Sequence, residues 1–377
     1  MVNASVGDLI KVKSGEIIAV NQLSTGKFPV YGGNGVNGYT SKYNVKTGTM
    51  IIGRVGEKCG NVYITNCDSW VTDNALIVTP LTDFSSAYFK YLLECLDLNK
   101  YANRNAQPVI SGQIIYSLQV PYTYDTAEQA EIARVLTTFD THITNLTELI
   151  EKKKAIREGA LEDLVSGKTR LSGFTGKWET VNFESAIIPK ARIGWQGLKS
   201  DEYLRKGFCY LIGGTDFYNG TVSLDNIWFV SEERYAMDAN IQVEENDVLV
   251  TKDGTIGKIA LVPHLEKPAT LNSGVFVFRT KNGLTRQFLF RVLISSIFKE
   301  FIDTLAAGST IKHLYQKDLK NFSFSMPTDE AEQEAIASVL NTMDYEILSL
   351  EEERDKMIKI REGAMDDLLT GKVRLMD

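Results

Sequence analysis

One gapless self-match constrains this chain more than any other feature. The stretch from Ala127, AEQAEIARVLTTFDTHITNLTELIEKKKAIREGALEDLVSGKTRL, returns from Ala331 as AEQEAIASVLNTMDYEILSLEEERDKMIKIREGAMDDLLTGKVRL, at an offset of 204 residues. Roughly half the positions are identical, and IREGA recurs intact at 156–160 and 360–364. Self-similarity of this kind marks a tandem duplication. The repeated unit is a variable domain followed by a similar helix.

Both repeats carry helix signals. Asp125 with Glu128, and Asp329 with Glu332, have the spacing of a capping box. Pro121 and Pro327 lie just upstream, and Gly167 and Gly371 supply the stops. Ile132, Leu136, Phe139, Ile143, Leu146 and Ile150 alternate at spacings of four and three, as do Ile336, Leu340, Met343, Ile347 and Leu350. That is the a/d seam of a coiled coil. Each helix of about 40 residues spans about 60 Å. A narrow apolar seam needs a partner, and the economical one is the duplicate helix folded back antiparallel, which gives the pair a pseudo-twofold axis. Helices of other proteins are the competing partners.

The helices divide the chain into 1–124, 125–171, 172–327 and 328–377. The domains read as mixed α/β, giving an α+β protein overall. Short β-type runs at 50–52, 62–65, 75–79, 247–251, 259–262 and 274–280 are broken by Gly, Asn and Asp, and helical patterns cover 86–96 and 285–305. The domains differ in most residues yet share an order of features. GTMIIGRVGEKCGNVYIT from Gly48 parallels NDVLVTKDGTIGKIALV from Asn246: a strand ends on Arg54 or Lys252, followed by a Gly-rich turn and another strand. Similar helices joined to dissimilar domains imply one constant task and two specificities.

Composition limits the alternatives. No apolar run reaches bilayer length, the longest candidate, 288–298, being interrupted by Arg291. No secretory signal is visible in the first residues, so a cytoplasmic location is expected, with Cys59, Cys67, Cys95 and Cys209 reduced. These cysteines form no Cys-x-x-Cys pair, so neither a disulfide framework nor a metal site is expected. The net charge of −7 is uneven: +2 over 1–122, −2 over 123–171, +1 over 172–327 and −8 over 328–377. The acid is concentrated in the last segment, which leaves the variable domains free to present basic faces.

Catalysis finds little support. Ser166, Gly167, Lys168 and Thr169 imitate the end of a phosphate-binding loop, but position 162 is Glu where that loop needs Gly, and the second copy ends in Val373. There is no Pro-Pro dipeptide of the kind adenine methyltransferases use, and His142, His264 and His313 belong to no triad or metal spacing. A non-catalytic protein is expected. Trp70 and Trp228, with apolar neighbours, read as core.

The helix ends IREGALEDLVSGKTRL and IREGAMDDLLTGKVRL resemble the constant-region signature of type I restriction-modification specificity subunits, as do the entries AEQAEIARVL and AEQEAIASVL. FPVYGGNGVNGYT from Phe28, IIGRVGEKCGNV from Ile51, WVTDNALIV from Trp70, QPVISGQIIYSLQVP from Gln107, GGTDFYNGTV from Gly213 and DGTIGKIALV from Asp253 are similar to recurring segments of that family's recognition domains. The second domain departs from the first late on, with GSTIKHLYQKDLKNFSFSMP from Gly308 where the first has QPVISG, so this segment is expected to be placed differently.

The resemblance implies two target-recognition domains, each reading one half of a split, asymmetric double-stranded DNA sequence. It implies that the helices set the gap and dock two adenine-methylating modification subunits, which would hold S-adenosylmethionine, while this chain binds no cofactor. Motor-nuclease restriction subunits would complete the assembly. A coiled-coil adaptor without DNA binding is the alternative reading.

Direct readout uses Arg or Lys for guanine and Asn or Gln for adenine, with hydroxyls and amides on phosphates. In the first domain the candidates are Asn34, Asn37, Tyr39 and Thr40 in a Gly-rich loop, Arg54 and Lys58 around a turn, and Arg104, Asn105, Gln107 and Ser111 in a polar run. In the second they are Thr215, Asp216, Lys252, Thr255, Lys258, Ser309, Thr310, Lys312 and His313.

Overall fold

The computed structural model describes residues 1–23, 26–194, 197–307 and 313–375. Its strands and helices confirm a mixed helix-and-sheet protein. Two compact units emerge, Met1–Leu149 with Leu350–Asp377 and Ile150–Ser349. Both divide the long helices, Thr126–Val165 and Glu330–Leu369, near their middles. The units therefore cut across the linear segments 125–171 and 328–377: each holds one variable domain, the first half of one long helix and the second half of the other.

In the first unit an antiparallel sheet orders Ile10–Ser14, Ala75–Pro80, Met50–Gly53 and Val62–Ile64. The second unit repeats that order with Ile187–Ala191, Val275–Thr280, Val248–Thr251 and Ile259–Leu261, then adds two short strands. The MIIG and VLVT strands are buried throughout, so they read as continuous apolar runs and not as alternation. In each unit a terminal two-stranded ladder brings the domain's ends together, Val2–Ser5 on Gln119–Tyr122 and Trp178–Asn182 on Ser323–Pro327. A long helix follows immediately.

The helical pattern at 285–305 resolves into two helices, Arg286–Ile294 and Ser296–Ala307. Ser295 breaks it. Its backbone is extended, and its hydroxyl donates to the Val292 carbonyl at 2.7 Å. The carboxylate of Glu162 then accepts from the Ser296 amide at 2.8 Å and from its hydroxyl at 2.5 Å, capping the second helix. The apolar periodicity continues across the break, which hides it from the sequence. No helix among the described residues is long and apolar enough to cross a membrane.

Asp125 and Asp329 cap the long helices, each accepting an amide at 2.9 Å, from Ala127 and Ala331 respectively. The reciprocal half of the capping box is not made. Glu128, with its side chain 1% exposed, is instead gripped by the Arg374 guanidinium, with Nη2 to Oε2 at 2.9 Å, and accepts the Thr123 hydroxyl at 2.7 Å. Glu332 takes the bidentate grip of Arg170 at 2.6 and 2.7 Å and a bond from the Trp178 indole at 3.3 Å. A two-pronged charge-assisted bond is stronger than the bond to a neutral backbone amide that a capping box requires.

Gln129 and Gln333, also fully buried, accept from the N-cap amides of Ser85 and Thr285, both at 2.8 Å. They donate to carbonyls of Thr123 and Pro327 at 2.8 and 2.9 Å. The AEQ of each repeat thus joins a long helix to its own domain. Of the seam residues, Ile132, Leu136, Leu146, Ile150, Ile336, Leu340 and Ile347 are buried, while Phe139, Ile143, Met343 and Leu350 are half-buried. Ile132 and Leu136 pack with Met365, Leu368, Leu369 and the sheet of the first unit. Ile336 and Leu340 pack with Leu161, Leu164 and Val165 in the second.

Candidate nucleic-acid interface

Three chain segments of the first domain converge on one surface. The turn bearing Asn34 joins Phe28–Gly32 to Gly35–Thr40 and lies against the turn after Met50–Gly53. A Cβ on Gly33 would sit 2.0 Å from the Val55 carbonyl oxygen, so only glycine allows this approach. The polar run 103–111 closes the third side. Ile110 donates to the Arg54 carbonyl at 2.9 Å, Gly56 donates to Pro108 at 2.8 Å, and Val55 bridges Val109.

Of the expected residues on this surface, Asn34, Asn37, Tyr39, Lys58, Arg104, Asn105, Gln107 and Ser111 are exposed and Arg54 is half-buried. The Lys58 ammonium has no partner among the described residues, so it is available to a phosphate. Arg54 reaches Ser14 at 3.4 Å. Arg104 is tied to Asn99, which the sequence did not single out; Asn99 donates to the Glu57 and Cys59 carbonyls at 2.9 and 2.8 Å. Ser111 caps a short helix by accepting from Ile114 at 3.3 Å. Thr40 is a correction: at 3% exposure it faces inward at the end of its strand and cannot present its hydroxyl.

The second domain builds the same frame. Lys252 accepts from Leu314 at 2.8 Å and donates to Gly274 at 2.9 Å, as Arg54 accepts from Ile110 and donates to Asn74 at 2.9 Å. Asp253 bridges His313 where Val55 bridges Val109. The late segment, expected to be placed differently, therefore returns at His313 and Leu314 to the corresponding position, because Leu314 is drawn into the core as Ile110 is. Ser309, Thr310 and Lys312 lie outside the described residues.

Thr215, Thr255 and Lys258 are exposed, and Lys258 has no side-chain partner among the described residues. Lys252 is half-buried, its ammonium 5.5 Å from the centre of the Phe276 ring. Asp216 closes a turn by accepting the Gly213 amide at 2.8 Å, and burial pushes its carboxyl pKa above the usual range. Gly214 brings that turn against Thr251.

Trp70 and Trp228 are half-buried, and Trp228 packs against the core of Cys209, Leu211 and Val230. Trp70 donates to the Glu16 carbonyl at 3.0 Å, and Trp228 lies 3.8 Å beneath the Arg205 guanidinium. All four cysteines are free.

Comparisons with known proteins bear on this arrangement. The family model described as the type I restriction modification DNA specificity domain matches residues 1–156 and 198–359. The type I restriction enzyme MjaVIII specificity subunit of Methanocaldococcus jannaschii is 26% identical over 284 residues, 71% of this chain and 65% of that protein. The type I restriction enzyme EcoprrI specificity subunit of Escherichia coli is 27% identical over 156 residues, 40% of this chain and 39% of that protein. The chain thus spans just under two thirds of the first relative's length and two fifths of the second's. In fold, it is similar to the crystal structure of a type I restriction-modification system S subunit from M. genitalium, with a TM-score of 0.67 at 18% identity, covering 98% of this chain and 96% of that one.

Proposed function

The chain belongs to the type I restriction-modification DNA specificity family, and from that premise we propose that each of its variable domains reads one half of a split, asymmetric duplex target. The observation that carries this reading is the repeated frame. Arg54 and Lys252 stand at the same backbone position, fixed by the same pair of hydrogen bonds, while the side chains around them differ. One frame with two sets of side chains suits two half-sites of different sequence. Lys58 and Lys258 supply cations for phosphates, and the exposed amides and hydroxyls around them supply base and backbone contacts.

In this reading the two long helices pair antiparallel about a pseudo-twofold axis and set the gap between the half-sites, as a fixed spacer sets half-site spacing in ordinary dimers. Matched ion pairs support it. Arg361 binds Asp140 at 2.9 Å within the first unit, and Arg157 binds Asp344 at 2.7 Å within the second, each shifted by the repeat offset.

The helices also dock methyltransferase subunits, the constant task that the repeats share, and Ile156 with Gly159 and Ile360 with Gly363 mark the docking face. All four are exposed, and a Cβ on either glycine would meet nothing within 4 Å. S-adenosylmethionine and the chemistry then belong to the partner, with restriction subunits joining the same assembly and no catalytic role for this chain.

The test is a methylation map. The chain is co-expressed with its methyltransferase partner in a methylation-free host, and modified adenines are sequenced genome-wide. A split motif is expected, with exchange of residues 1–124 or 172–327 altering one half only. Methylation that is unchanged when this chain is omitted sinks the proposal and favours an adaptor role.

A further inference from the structure

The two domains share one backbone bridge that carries opposite chemistry. In the first domain it joins Val55 to Val109, and in the second Asp253 to His313. The flanking bonds are the same, Ile110 to the Arg54 carbonyl and Leu314 to the Lys252 carbonyl. From this we infer that the bridge is a specificity-determining position, with His313, oriented by Asp253, reading one base pair of the second half-site. The inference rests on the half-site reading above.

Folding does not account for the polar pair. The valines show that the frame closes without charge. Side chains 43% and 30% exposed, as those of Asp253 and His313 are, gain little from pairing in water. Leu314 is buried and both its neighbours are not, so His313 and Tyr315 occupy the outward positions of this stretch, with ring centres 4.5 Å apart. Thr255 and Lys258, both exposed, belong to the turn that Asp253 begins.

The Asp253 carboxylate can only accept, so His313 Nδ1 donates to it. In the neutral ring this places the proton on Nδ1 and leaves Nε2 as an acceptor, with no partner among the described residues. In the major groove an acceptor matches the exocyclic amino group of adenine or cytosine. The valine pair offers no hydrogen bond and matches an apolar feature such as the thymine methyl group. The same frame would then select different bases in the two half-sites.

The test compares methylation maps of the wild-type chain, His313→Ala, His313→Gln and Asp253→Asn, each co-expressed with the methyltransferase partner, with melting temperatures measured alongside. His313→Ala is expected to relax one base pair of one half of the motif, discrimination there dropping by roughly tenfold, with the other half unchanged. His313→Gln keeps an acceptor and should retain more of that discrimination, and it also serves if the alanine variant fails to fold. Asp253→Asn should relax the same base pair, because its amide offers Nδ1 a donor as well as an acceptor and no longer selects one tautomer. An unchanged motif in both His313 variants, or a uniform loss of methylation with the motif intact, overturns the inference. A wild-type chain that directs no split motif removes the half-site reading itself and the inference with it.

Discussion

Removing the guanidinium from the Glu128 clamp tests whether the long helices are locked by buried charge. Arg374→Ala leaves the carboxylate, 1% exposed, with the Thr123 hydroxyl as its remaining bonded partner. Breaking one side of a buried ion pair costs about 3–5 kcal/mol, because the other charge stays desolvated. Arg374 is itself 48% exposed, so water can enter as the side chain is cut back, and the lower figure of about 3 kcal/mol applies. For a unit of this size that corresponds to a fall of roughly 6–12 °C in melting temperature. Urea unfolding followed by circular dichroism gives the free energy, and a thermal melt gives the shift. Glu128→Gln in the Arg374→Ala background should restore part of the loss, since the amide oxygen still accepts from Thr123 and no charge is buried. Arg170→Ala should behave alike against Glu332, in the other unit. A loss under about 1 kcal/mol, or no recovery with the glutamine, would refute the reasoning, because it would mean the carboxylate is already solvated or the arginine only decorates it.

Three further outcomes are expected. Gly159→Ala and Gly363→Ala should each stabilise the isolated chain by about 1 kcal/mol, since both glycines occupy open helical positions, yet weaken binding of the methyltransferase subunit in a titration. Gln333→Ala should cost about 1–3 kcal/mol in urea unfolding, because the Thr285 amide and the Pro327 carbonyl lose a buried partner. Burial raises the Asp247 carboxyl pKa, so the native state keeps its proton to higher pH than the unfolded chain. Its stabilising contribution is present below the unfolded value and lost as pH rises through the native one. Asp247→Asn should flatten that part of a melting-temperature profile against pH, and an unchanged slope would remove Asp247 as the cause.

What the sequence disclosed was set by the range of the interactions. Helix Thr126–Val165 was legible because its cap, apolar period and terminal glycine all lie within it or within two residues of its ends, and Gly167 takes the expected left-handed conformation at φ 72°. The strands Met50–Gly53 and Val248–Thr251 were legible as apolar runs ending in a basic residue and a Gly-rich turn. Glu128 was misread because its spacing from Asp125 suits a capping box equally well, and the arginine that claims it lies 246 positions away. The break at Ser295 was silent for a related reason: the Glu162 that caps the following helix comes from a distant repeat. At the candidate interface the three segments were visible singly, while their convergence depended on Ile110 and Leu314 entering the cores. Thr40 was lost to alternation, since its end position in Gly35–Thr40 gave no clue to which way it faced.

The repeat itself sorts the residues that both copies share. Glu128 and Glu332, Gln129 and Gln333, and Arg157 and Arg361 each meet a specific partner within their own unit. Their identity follows from folding, because a buried polar group without its partner is costly. Ile156 with Ile360, and Gly159 with Gly363, meet no such requirement. An exposed isoleucine gains nothing from water, and a glycine in open helix costs about 1 kcal/mol against alanine. Folding alone would let these positions drift, as Ala155 and Lys359 beside them have done. Their retention in both copies fits a surface that a partner covers closely, and a glycine is the residue that lets a second backbone approach a helix. The variable domains carry the opposite signature. There the backbone bridge is kept while its side chains change from valines to a carboxylate and an imidazole, as expected where the frame is constant and the sequence being read is not.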